Sequence, residues 1–394
     1  MNQTRTLFSF EFLALNLIMV AAFCNVSVFY SFYHYLGIID IPVVWRGFLV
    51  GLEPMAAFAL RLFIIPWIHL RNAFTVMTVS LVLLVAVSCA YLWAGAVPAL
   101  ICLRIFHGAV FVLLTVSTIT LLVHFIPKER SGQGFSIISI ATMIPYALIP
   151  PMTEALLPYV RTEADIYAGV SSFSILSLIM IMILRGHFRR SFENVDDTAT
   201  RRPTLPEIRE NFRQRPVVLL LGTGLLIYLT HATVFYFIKD LALETGMGDV
   251  GIFFTLSMAA IIAMRVAGGH VFDRYSKRLL LLVGIIIVAL CLAFLPHAGS
   301  RPVLCLFAIL YGLAVGVMLP MFNALLFSAS PPALRNLNTN MAMFTLDAGY
   351  FIMPYIGGML IASGAGFSSL FYVSAGFACA AFLIVLALGD IEHA

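Results

Sequence analysis

The stretch Met258-Ala-Ala-Ile-Ile-Ala-Met-Arg265 runs on into Gly268-Gly-His-Val-Phe-Asp273-Arg274-Tyr-Ser-Lys277-Arg278, and it has an echo in the first half of the chain, Met55-Ala-Ala-Phe-Ala-Leu-Arg61. In both places an apolar run ends on an arginine and a short basic turn follows, with one residue of slippage between the copies. A second pair corresponds in the same way: Cys102-Leu-Arg-Ile-Phe-His-Gly108 against Cys305-Leu-Phe-Ala-Ile-Leu-Tyr-Gly312. A chain whose halves repeat in order is built from two copies of one unit.

Composition identifies the solvent of that unit. Of 394 residues, 61% are hydrophobic and 11% charged, and mean hydropathy is +1.01. A soluble domain is about 45–50% apolar and about 25% charged. Such an excess excludes a soluble enzyme, a disordered protein and a nucleic-acid binder, and it points to the bilayer. A helix needs about 20 apolar residues to cross the hydrocarbon. On that measure spans are expected at 8–37, 46–70, 73–94, 97–126, 131–158 and 164–186, and again at 215–243, 249–274, 278–297, 301–330, 336–363 and 366–389. The expected fold is therefore an all-α membrane protein of twelve transmembrane helices in two six-helix pseudo-repeats around a central cavity. Its parts are an N-terminal bundle (1–186), a cytoplasmic linker (187–214) and a C-terminal bundle (215–394). Prolines within the spans (Pro54, Pro145, Pro150, Pro151, Pro320, Pro354) predict kinks. The six cysteines lie in apolar runs without CxxC spacing and read as small buried hydrophobes. The first apolar run is too long for the hydrophobic region of a signal peptide.

Lys and Arg set the orientation. With the N-terminus inside, sixteen of the 23 basic residues fall in cytoplasmic segments, four outside (Arg46, Arg161, Lys239, Arg301) and three within spans (Arg61, Arg104, Arg265). This bias places both termini in the cytoplasm, and a bacterial inner membrane is the expected location. Within the linker, Thr204 to Phe212 reads as a short amphipathic helix at the membrane surface: Thr204 and Glu207 have capping-box spacing, and Leu205, Ile208 and Phe212 share a face.

The 6 + 6 layout with a central cytoplasmic loop resembles the major facilitator superfamily over essentially the whole chain. Gly268 to Arg278, with Gly268, Gly269, Asp273, Arg274, Lys277 and Arg278, is similar to that family's Gly-x-x-x-Asp-Arg-x-x-x-Arg loop signature. Arg104 with Gly108 resembles the Arg-x-x-x-Gly motif of its drug and metabolite exporters, and Pro127-Lys128-Glu129-Arg130 the usual exit of that helix. The chain also departs from the pattern. His69 stands where Asp273 stands in the second half, Met143-Ile-Pro145-Tyr-Ala-Leu-Ile-Pro150-Pro151 replaces the antiporter signature of the fifth span, and the first span carries Asn16 and Asn25 in place of a central acid.

Charges inside the spans are costly, about 2.5–3.5 kcal/mol each at the bilayer centre on insertion scales, and therefore need partners or water. Counting helix rise, Glu53 and Arg104 lie at one depth, roughly 10 Å from the outer ends of their spans; Asp347 and Arg265 match at roughly 14–17 Å from the cytoplasmic side. Two acid–base pairs, one per half, are expected, as proton-coupling groups or as permanent helix ties. Arg61 is expected at the inner gate or at helix-end carbonyls. Polar and aromatic stripes at helical spacing name the cavity candidates: Asn25, Tyr30, Tyr33 and His34 on the first span; Arg104, His107, Phe111 and Thr115 on the fourth; Tyr228 and His231 on the seventh; Asn323 on the tenth. The resemblance implies that these four helices line the cavity.

No GxxxxGK[ST], HExxH, GxSxG or CxxC pattern exists, so neither an ATP site, a metal site nor an intramembrane enzyme is expected, and no cofactor. The expectation is a monomeric secondary active transporter that moves a small organic solute, anionic or zwitterionic, by alternating access with proton coupling and a lean toward export. A proton-symport importer of a metabolite or metal chelate, or a flippase of amphiphiles or lipids, is the alternative.

Overall fold

The computed structural model describes residues 9–64, 67–68, 70–125, 131–192, 205–248, 250–267, 275–331 and 334–388. Every regular element among them is a helix. In lipid no water replaces a lost backbone hydrogen bond, and a helix satisfies its own. In chain order the α-helices are α1 Phe10–Ser27, α2 Phe32–Ile38, α3 Val43–Ile64, α4 Leu70–Ala90, α5 Val97–Phe125, α6 Ser131–Leu156, α7 Glu163–Val170, α8 Ser172–Phe192 and α9 Leu205–Asn211. They continue as α10 Arg215–Thr245, α11 Gly251–Ala267, α12 Lys277–Phe294, α13 Arg301–Ala329, α14 Arg335–Ala362 and α15 Phe367–Ala387.

Eleven membrane-length apolar helices occur among the described residues, α1 with α2 and α7 with α8 each making one span. The eighth expected span appears as α11, an apolar helix of 17 residues; its expected continuation to 274 lies outside the described residues. Two spans are interrupted. The first passes through a turn of 3₁₀ helix at Val28–Ser31 before α2, and the sixth breaks at Ser171. Pro54, Pro145, Pro150, Pro151, Pro320 and Pro354 all sit inside helices, as expected.

Local chemistry marks the ends. Ser9 accepts from the amide of Phe12 at 3.2 Å, and Ser276 caps α12 through the amide of Leu279. The Asp165 carboxylate accepts from the amides of Arg161 and Thr162. Gly246 ends α10 with φ of 72°, the left-handed geometry that glycine adopts without penalty. Large apolar side chains such as Phe63 and Trp93 point outward, as a lipid-facing surface requires.

The chain forms two compact units: Met1–Tyr30 with Met55–Thr198, and Ser31–Pro54 with Ala199–Ala394. In the first, α1 packs on α5, α6 and α8, and α4 packs on α5 and α8. In the second, α10 is gripped by α14 and α15, while α13 packs on α11 and α12. The segment 31–54 joins the second unit through contacts that only glycine allows. Gly47 meets Gly358 so closely that a Cβ on either would lie 2.6 Å from the other's Cα, the small-residue packing of membrane helices.

The expected linker helix exists as α9, and its end is tied into the second unit. Asn211 and Asn338 exchange amide hydrogen bonds of 2.7 and 3.0 Å, and Asn338 also donates to Ser330 at 2.7 Å. Both asparagines are buried. Thr204 lies outside the described residues. The cysteines correct their expectation in part: Cys24 and Cys291 are buried, but Cys102 and Cys379 are exposed. A thiol that faces lipid is already out of water, so nothing drives it inward.

Candidate functional site

In the second unit four of the sequence candidates converge. Tyr228 lies within electrostatic reach of both Arg265 and Asp347, and His231 lies within reach of Arg265. Helical spacing explains this: residues 228 and 231 are one turn apart on α10, with α14 packed against it. His231 Nδ1 hydrogen-bonds Tyr311 Oη at 2.6 Å, and the two rings stack with an interplanar angle of 7°. Tyr350 closes the group from α14, with its ring centroid 6.1 Å from that of His231. Three phenols, an imidazole, a guanidinium and a carboxylate thus share one neighbourhood. Such a set can bind an anionic or hydrogen-bonding group at Arg265 and the tyrosines, and it can hold a proton at Asp347 or His231. Asn323, on α13, donates to its own helix at Leu319 and is exposed.

Close approach keeps the helices of this neighbourhood in register. A Cβ on Gly312 would lie 2.8 Å from the Cβ of Ala260, and one on Gly349 would lie 2.6 Å from Tyr228 Cβ. The α11–α13 and α10–α14 crossings therefore depend on these glycines.

The first unit encloses Arg104 in aromatic surroundings. Its guanidinium stands 5.3 Å from the Phe29 ring centroid and the residue is 1% exposed. A cation over a ring face in a dry site is worth about 2 kcal/mol or more. Phe29 is itself held: Tyr167 stacks on it at 4.4 Å, and His107 and Tyr91 meet it at 5.0 Å. His107 Nδ1 pairs with Tyr91 Oη at 3.3 Å. Tyr30 donates to the Glu154 carboxylate. Asn25 donates to Ser174 Oγ at 3.0 Å and to the Ala21 carbonyl. Phe111 meets Phe23 edge-on, and Thr115 turns its hydroxyl to the Phe111 carbonyl of its own helix.

Glu53, 7% exposed, belongs to the second unit, and Arg104 to the first. Tyr33 packs edge-on against Phe237 and Phe367, and His34 hydrogen-bonds Asp240. Of the loop motif, Lys277 and Arg278 are described, whereas Gly268, Gly269, Asp273 and Arg274 lie outside the described residues. Arg278 donates to the carbonyls of Val385 and Leu386 at 3.2 and 2.7 Å. It thereby satisfies orphan acceptors at the negative end of α15. Arg61 is partly exposed in the last turn of α3. Groups of three or more His, Cys, Asp or Glu able to hold a metal are absent among the described residues.

Several polar residues escaped the sequence reading: Glu154, Glu163, Asp240, Tyr311 and Tyr350. Lys239 was counted as an outer charge, yet it is buried in α10 at 6% exposure. The adjacent opposite charges Lys239 and Asp240, still inside an apolar run, were the signal available for that pair.

A family model described as Major Facilitator Superfamily matches residues 12–299 and again 220–393. The quinolone resistance protein NorA of Staphylococcus aureus is 24% identical over 143 residues, 36% of this chain and 35% of that protein. The MFS transporter asaE of Aspergillus flavus is 24% identical over 247 residues, 61% and 53% of the two chains. The chain thus spans about a third to a half of the length of these curated relatives. Among solved structures, the nucleoside transporter NupG superposes with a TM-score of 0.74 at 13% identity, covering 96% of this chain and 99% of that one. A POT family transporter in complex with 5-aminolevulinic acid gives 0.77 at 12% identity, covering 96% of each. At such identities the likeness is one of fold. With a superfamily model matching from residue 12 to residue 393, the chain belongs to the Major Facilitator Superfamily.

Proposed function

We propose that this chain is a secondary active transporter that carries a small anionic or zwitterionic organic solute by alternating access, driven by protons and leaning toward export. The observation that carries the reading is the second-unit cluster, in which Tyr228 feels both Arg265 and Asp347 while His231 and Tyr311 are bonded beside them. Ionisable side chains kept inside apolar helices mark ion and substrate paths. Arg265 offers a planar fork of donors to a carboxylate. Asp347 is an acid that can neutralise when a substrate charge or a proton arrives.

Glu53 and Arg104, which lie at matched depth along their spans, are each further coupling candidates of this reading. Asn25, Tyr30, Tyr33, His34, His107, Phe111, Thr115 and Asn323 supply the remaining cavity surface. The six-helix bundles at 1–186 and 215–394 rock about the linker at 187–214, and the loop from Gly268 to Arg278 with Arg61 guards the inner side. The protein works as a monomer in a bacterial inner membrane with both termini in the cytoplasm. Support for that orientation is the sixteen-to-four distribution of basic residues.

The test uses purified protein in proteoliposomes with an imposed pH gradient, after a thermal-shift screen of carboxylated metabolites and amphiphiles has named a ligand. Gradient-driven flux of that ligand is expected, with loss of coupling in Glu53→Gln or Asp347→Asn. Gradient-driven flux unchanged in both variants refutes the coupling role. Stabilisation only by neutral lipids refutes the anionic substrate and favours a flippase.

A further inference from the structure

A second ionisable group lies apart from the Arg265–Asp347 neighbourhood, where the first two spans meet the seventh. Asp240 is 7% exposed and its Oδ1 accepts from His34 Nδ1 at 3.2 Å. The pair joins α2 to α10, and both residues belong to the second unit. Asp240 Oδ2 is buried and makes no hydrogen bond among the described residues, and the same holds for Tyr33 Oη, one residue from His34.

A buried carboxylate oxygen without a donor is unusual, because each unmet polar atom costs about 1–3 kcal/mol. The charges acting on Asp240 are those of His34, Lys239 and Arg46, and Asp240 acts in turn on Tyr33. Arg46 is fixed by its Nε bond to the Ile41 carbonyl at 2.7 Å. The other titratable groups on elements packed against α10 are engaged elsewhere. Glu244 caps α15, His297 bonds Tyr372, and Tyr311 and Tyr350 surround His231. Asp347 acts on Tyr228, while Tyr355 and Arg301 are exposed.

We propose that Asp240 and His34 form a proton-operated latch. With Asp240 ionised, its bond to His34 holds Ser31–Pro54 against α10 and α14. A proton from the outer solution, arriving through the partly exposed His34, adds to the unbonded Oδ2 and discharges the carboxylate. The His34 bond weakens, Arg46 and Lys239 lose their counter-charge, and the segment loosens. No donor is displaced by that proton, because Oδ2 has none to lose. The latch deepens the proton-driven reading above, but its test follows the opening of the segment in the absence of substrate, so the two fail separately.

The experiment is hydrogen exchange by mass spectrometry on the full chain in nanodiscs between pH 5 and pH 8, corrected for the intrinsic pH dependence of exchange. Peptides within 31–54 are expected to lose protection at pH 5 by on the order of tenfold, the worth of one charged hydrogen bond. Peptides of α12 serve as the reference that should not change. Asp240→Asn should be equally loose at both pH values, and His34→Gln should be loose at pH 8. Protection of 31–54 that does not vary with pH in the wild type overturns the latch. So does a pH response that survives in Asp240→Asn. If Asp240→Asn unfolds, as loss of protection in α12 would reveal, the wild-type series and His34→Gln decide alone.

Discussion

Replacing Gly358 by alanine puts one methyl group into a helix crossing of the second unit where two backbones nearly touch. The new Cβ would lie 2.6 Å from Gly47 Cα and 2.9 Å from Gly47 N, against an ordinary contact of 3.4–4 Å. Both obstacles are backbone, so no side chain can rotate away, and α3 and α14 must separate by about 1 Å, which a close-packed interior resists. Overpacking of this kind costs about 1–3 kcal/mol. Alanine recovers about 0.5–1 kcal/mol of helix propensity over glycine. The net loss is about 0–2.5 kcal/mol, a shift of up to roughly 70-fold toward states in which 43–54 has left α14, and about 1–3 kcal/mol relative to a glycine-to-alanine change that meets no obstacle. Gly376→Ala in α15 is the matched control, since a Cβ there meets nothing within 4 Å, and it should be neutral or stabilising. Hydrogen exchange of 43–54 and thermal inactivation in nanodiscs read the two variants side by side; thermal inactivation is ranked by half-life because membrane proteins of this size unfold irreversibly. If Gly358→Ala protects 43–54 as well as Gly376→Ala does, the glycine contact does not hold this segment.

The remaining predictions concern helix ends and the linker. Glu244 accepts from the amides of Phe367 and Ser368 at 2.7 and 3.2 Å, and from Ser368 Oγ at 2.8 Å. It is thus a cap supplied from a distant helix. Glu244→Ala should cost about 0.5–2 kcal/mol and speed amide exchange at 366–369, with Glu244→Gln intermediate; unchanged exchange would mean the cap is redundant. Asn338→Ala strands the buried Asn211 amide at about 1–3 kcal/mol, so proteolysis at 205–214 should accelerate. The double variant with Asn211→Ala should lose little more than the single one, whereas fully additive losses would show that the two amides act independently.

Much of the architecture was legible in one dimension because the bilayer imposes a one-dimensional rule: a run of about 20 apolar residues is a span. The repeat of Met55–Arg61 in Met258–Arg265 pointed to a two-part organisation; the chain does form two compact units, but 31–54 belongs to the second. The distribution of Lys and Arg sets an expected orientation in the same one-dimensional way. Depth could also be counted, which put Asp347 and Arg265 at one level, and in the structure both act on Tyr228.

Contact across helices was beyond that reach. Depth along a span says nothing about which way a residue faces, and Arg104, expected opposite an acid, also lies against the Phe29 ring. Asp240 lay near the outer end of the 215–243 span beside Lys239 and was not singled out, until the folding of α2 against α10 brought His34 to it. Tyr311 aligned with His107 in the repeat but bonds His231 from another helix. The sequence by itself determined the solvent, the apolar runs and their order, because hydropathy acts locally along the chain. Only the tertiary structure decided which buried charges meet, because that depends on helix rotation and crossing, and those are set by where glycines such as Gly47, Gly312 and Gly358 let backbones touch.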